Sequence, residues 1–122
     1  MIHPSIRPAL ALGCLLLTFT AAAARWQSVI TAGVPDQQVS LTAGDCLDDE
    51  PGLPPTTVDD LLITVDVVPI DGAGGILGQA GPCIVSSTDS LSRAGVMQFD
   101  SADVTNMLAD GSFTAVVLHE MG

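Results

Sequence analysis

The chain is short of positive charge. Its 122 residues hold three arginines, no lysine and two histidines against fourteen carboxylates, for a formal net charge of −11. Nucleic acid and anionic membrane surfaces are bound by clustered basic side chains that displace counterions, so both are excluded as partners. Without lysine, the glycine-rich run Asp71-Gly72-Ala73-Gly74-Gly75 lacks the residue that a phosphate-cradling loop needs, and it reads as a flexible turn. Aromatic residues are equally scarce: Phe19, Trp26, Phe99 and Phe113 are the whole set. That is a thin supply for a self-sufficient core. No apolar run reaches the roughly 20 residues that a membrane-spanning helix takes, and no internal repeat is present.

What is present begins with an export pattern. His3 and Arg7 make a weakly positive start, Ala9 to Phe19 is apolar apart from Gly13 and Thr18, and Ala21 to Ala24 offers an A-x-A-like cleavage site. Residues 1–24 are therefore expected to be a signal peptide and the protein secreted or periplasmic, with no membrane anchor after cleavage. The lipoprotein-like Ala11-Leu12-Gly13-Cys14 is discounted, because its apolar block follows Cys14 instead of preceding it. Loss of the signal leaves Cys46 and Cys83, and an even count in an exported chain predicts a disulfide between them. The rival role, a cysteine that ligates zinc and holds a proenzyme silent, requires one of them to stay unpaired.

Residues 25–57 read as an N-terminal segment with one short strand around Val39 and Leu41, followed by an acidic, proline-rich loop from Asp45 to Thr57. The carboxylates of that loop do not follow EF-hand spacing, so it reads as solvated and not as a calcium site. Leu61 to Val68 is β-branched and nearly continuous, the strongest strand pattern in the chain, and Pro69 ends it. Ile76 to Pro82 reads as a glycine-rich loop, Cys83 to Val85 as a short strand, and Gly95 to Asp100 as a half-buried one. Ser101 is an N-cap candidate for a helix over 102–108, with Asp103 favourably placed in its first turn, and Asp110-Gly111 breaks it.

The last stretch carries the chemistry. After a second N-cap candidate, Ser112, the residues Phe113, Val116, Val117 and Glu120 step along one helical face at i, i+3, i+4 and i+7. His119, Glu120, Met121 and Gly122 fill the first four letters of His-Glu-x-x-His. That spacing sets two imidazoles on one face of a helix to hold a zinc ion, with the Glu between them as general base. An ordinary helix end is the alternative, with His119 favoured by the helix dipole and Gly122 as C-cap.

The blocks Val58-Asp59-Asp60-Leu61-Leu62-Ile63, Val68-Pro69-Ile70-Asp71-Gly72, Ala80-Gly81-Pro82-Cys83, Gly95 to Asp103 and Leu118-His119-Glu120-Met121-Gly122, in that order, resemble the bacterial leishmanolysin-like metallopeptidases, which are metzincins. The resemblance runs from about Thr42 to Gly122. It implies an α/β (α+β) fold, the upper lobe of a metzincin, with a twisted mixed sheet packed on a C-terminal active-site helix. Residues 58–122 would be a partial catalytic domain, incomplete because the motif breaks off inside the zinc helix. His119 would be the first zinc ligand, Glu120 the catalytic general base, zinc the cofactor of the full-length parent, and a protein or peptide the substrate. The strand from Gly95 to Asp100 would flank the cleft. As it stands the chain is expected to be inactive and to bind zinc only loosely. The other reading is a secreted, non-catalytic binding or structural domain in which the His-Glu pair is incidental.

Overall fold

The computed structural model describes residues 2–6, 12–48 and 50–122, and of residues 2–6 and 12–14 it describes the backbone alone. Along the described residues the elements are β1 (Ile2–Ile6), α1 (Leu12–Gln27), β2 (Gln37–Leu41), β3 (Leu53–Val58), β4 (Leu61–Val68), β5 (Gly78–Val85), β6 (Ser92–Asp100), α2 (Ser101–Asp110) and α3 (Phe113–Met121). The class is mixed α and β. Four strands make one sheet in the order β1-β4-β6-β5, while β2 and β3 form a separate antiparallel ribbon. β1, β4 and β6 run parallel, and β5 returns antiparallel at the edge.

Both faces of the sheet are covered, which is what a parallel core with β-branched strands requires. On one face Ile63, Val65, Met97 and Phe99 meet the helices through Leu15, Phe19, Val104, Phe113 and Val117. Phe19, Phe99 and Phe113 form a triangle with ring centroids 5.1–5.8 Å apart, two of the three pairs edge-to-face. Such pairs add about 0.5–1.5 kcal/mol each beyond burial, so three rings supply a core despite the scarcity of aromatics. On the other face the ribbon packs Val39 and Val58 against Ala94.

Several local expectations change in the fold. Within the segment that carries the export pattern, β1 pairs with β4 and α1 runs unbroken through Ala21–Ala24. Arg7 and the start of the apolar run, Ala9 to Ala11, lie outside the described residues, and so does Asp49 of the acidic loop. That loop ends earlier than its composition suggests, because Leu53 to Val58 is β3 in spite of Pro54 and Pro55. A two-stranded ribbon leaves one edge of β3 unpaired, where prolines cost no ladder hydrogen bond. The glycine-rich stretch read as a loop is strand from Gly78 onward, paired to β6 with irregular register after Pro82. β6 is not half-buried: it is one of two interior strands, and all residues from Arg93 to Asp100 are buried. Arg93 donates there to the Asp89 carboxylate at 2.6 Å, and that contact holds the Asp89 carboxyl below its ordinary value.

The predicted bridge is present. Cys46, after the ribbon's first strand, is bonded to Cys83 on β5, and the two Cα atoms are 5.5 Å apart. No described helix is long and apolar enough to cross a membrane.

Candidate active site

α3 carries His119 and Glu120 on its last turn. The helix begins at Ser112, but not by a hydroxyl cap: the Ser112 side chain makes no capping bond, and its carbonyl accepts from Val116 N–H at 3.2 Å. The Asp110 carboxylate accepts from the Ser112 N–H at 2.9 Å, and the Ser112 hydroxyl and N–H together hold its carboxyl below the ordinary value. Phe113 and Val117 are buried in the core and orient the helix. Glu120 follows Val117 and Val116 on the same row and is half-buried, whereas His119, turned by about 100° from its neighbour, is exposed. The helix ends where the Gly122 N–H donates to Leu118 O at 3.3 Å, and a β-carbon on Gly122 would overlap the indole of Trp26.

Glu120 lies between two open clefts. One, of about 510 Å³, has Ile76, Leu77 and Gly78 on one wall and Ala115, Val116 and His119 on the other. The second, of about 620 Å³, passes Glu120 and Met121 beneath Trp26 to Leu61, Ile63 and Met97. The first separates α3 from the start of the edge strand β5. Of the strand expected to flank the cleft, Gly95 to Asp100, the residues Gly95, Val96 and Met97 line the second cleft together with Glu120, while the edge strand β5 borders the first.

The cleft wall at 76–78 is fixed by carboxylates. One oxygen of Asp100 accepts from Asp71 N–H at 2.9 Å and Gly72 N–H at 3.0 Å, and the other accepts from Ala102 N–H at 2.9 Å, capping α2. Asp100 is thus the N-cap that Ser101 was expected to be. Its carboxyl is held below the ordinary value by the Ala102 N–H first, then that of Asp71. Asp103 accepts from Gly74 N–H at 2.9 Å, and Asp71 accepts from Ile76 N–H at 3.0 Å. Gly74 has φ 83°, a left-handed conformation that a side chain would strain. Sequence reading saw Asp103 as a favourable first-turn charge and overlooked Asp100. The signal was available, because Asp directly before Ser101 caps a helix as well as Ser does.

The donors present do not make a complete zinc site. Among the described residues no three His, Cys, Asp or Glu side chains come together to hold a metal. Cys46 and Cys83 are bonded to each other, so His119 is the nitrogen donor of the site and Glu120 its neighbouring carboxylate. Three protein ligands are needed for a catalytic zinc, so no step through a metal is assigned to these residues alone. No family model matches the chain, and neither does any curated protein or solved structure.

Proposed function

We propose that the chain carries the first zinc ligand, His119, and the general base, Glu120, of a secreted zinc metalloendopeptidase of the leishmanolysin-like type. The remaining two ligands would come from sequence following Gly122. The observation that carries this reading is the setting of the pair: an exposed imidazole and a half-buried carboxylate on one helical turn, on the wall of a cleft beside an edge strand. An extended peptide adds to such an edge by main-chain hydrogen bonds, which favours a protein or peptide substrate. A histidine four residues beyond His119 would share its helix face. Zinc, when held by three such ligands, supplies a water of lowered pKa. The Cys46–Cys83 bridge supports an oxidising compartment.

The coding sequence past Gly122 tests the reading. A histidine as the next residue in frame, with a further one within the following two turns, is expected; a stop codon with no such residues in any frame refutes it. A chain extended through those residues should bind one zinc and hydrolyse casein. His119→Ala should then lose zinc and activity together, while Glu120→Ala should lose activity and keep zinc.

A further inference from the structure

The segment with the strongest export pattern is also built into the core along one face. Leu15, Phe19, Ala22 and Ala23 are each no more than 4 % exposed. Thr18 and Trp26 are half-buried between and beyond them. The six positions recur at i, i+3, i+4, i+7, i+8 and i+11, the single face of an amphipathic helix that packs on a core. A signal needs apolarity without a preferred face, so this face is a separate feature. It also crosses the expected cleavage point, with Phe19 on one side of Ala24 and Trp26 on the other. Phe19 closes the aromatic triangle with Phe99 and Phe113, and Trp26 lies against Gly122 at the end of the helix that carries His119 and Glu120. Of the small side chains that make the A-x-A pattern, Ala22 and Ala23 are enclosed in the core, while Ala21 and Ala24 are exposed.

We infer that residues 15–27 are a permanent core helix of the folded protein and that no processing occurs within them. Ala21–Ala24 is not a cleavage site in the folded domain. Cutting after Ala24 would take one ring of three from the core and leave the face of Phe113 and Val117 open to water. It would also separate Trp26 from the helix that holds it in place.

The test uses the full chain, refolded and oxidised, and exposed to purified bacterial signal peptidase in detergent. The intact mass of 12.4 kDa should persist, and a product beginning at Arg25 would overturn the inference. Substitutions give a second reading on the same folded protein. Phe19→Ala should lower the folding equilibrium constant about a hundredfold or more, as truncation of a buried ring does. Leu17→Ala, at a position 70 % exposed on the opposite face, should leave it within a few-fold. If Phe19→Ala does not fold, Phe19→Leu provides the graded version and should still fall well below Leu17→Ala. Equal midpoints for the Phe19 and Leu17 variants would show that the helix is not in the core.

Discussion

Breaking the Cys46–Cys83 bridge is expected to destabilise the domain by about 4 kcal/mol. The two cysteines are 37 residues apart in sequence. A cross-link of that span removes about 13 cal/mol/K of loop-closure entropy from the unfolded chain, or about 3.9 kcal/mol at 25 °C. The folded side changes little, because the loop has a second tether: Gln98 donates from Nε2 to Asp48 O at 2.7 Å, while its Oε1 accepts from Gln79 at 2.9 Å. The effect therefore falls on the unfolded ensemble. Since a domain of this kind has about 5–15 kcal/mol in total, it should remain folded but marginal. Urea unfolding followed by the fluorescence of Trp26, the single tryptophan, measures the change with and without reductant. With a slope of about 2 kcal/mol/M the midpoint should fall by about 2 M. A Cys46→Ser/Cys83→Ser double variant should show the same low midpoint in both conditions. Coincident midpoints for oxidised and reduced protein, or two titratable thiols before reduction, would refute the reasoning.

Phe113→Ala should cost about 3–5 kcal/mol, since it empties a fully buried ring site. Far-UV circular dichroism in urea reports it, and a loss under about 1 kcal/mol would mean that α3 is not seated on the sheet. Asp100 has a depressed carboxyl pKa in the folded state, so its contribution is complete above the ordinary carboxylate value of about 3.9. That contribution fades as pH falls through the lower folded value. Asp100→Asn should lose this acid limb, and a variant whose acid-unfolding curve has unchanged steepness would contradict the assignment. Gly122→Ala should push the Trp26 indole aside and shift its emission to the red, whereas an unchanged spectrum would argue against the close approach. Without sequence beyond Gly122, the chain should retain no stoichiometric zinc after dialysis, and metal analysis showing one tightly held ion would mean that the site has other donors.

The sequence was most readable where one physical signal dominates. Leu61 to Val68 is an interior parallel strand and looks like one. Phe113, Val116, Val117 and Glu120 keep helical spacing, and two cysteines left to pair do so. It was least readable where one composition serves two ends. The stretch Leu12 to Ala24 satisfies the pattern of an export signal so fully that its one-sided periodicity, from Leu15 through Phe19 to Trp26, goes unnoticed. Gly78 to Pro82 lacks β-formers because an edge strand needs only its backbone to pair, and Pro54-Pro55 sits in β3 for the same reason. Asp103 reads as a helix first-turn charge, and Asp100 draws no reading of its own. Their partners are backbone N–H groups about 29 residues earlier, a separation that no local window spans.

The interior strand β6 is also the last of the six described strands to be made. β6 pairs with β4 on one side and β5 on the other, so until residues 92–100 have left the ribosome, β4 and β5 have no common partner. Both cysteines precede it, which allows the covalent link to close before the strand that orders Cys83 exists. Parallel pairing of β1 with β4 spans about sixty residues in the same register. Folding of such a long-range sheet is limited by the search for distant contacts and not by local structure. The domain should therefore gain its structure late and in one step, with the aromatic triangle completed only when Phe113 arrives.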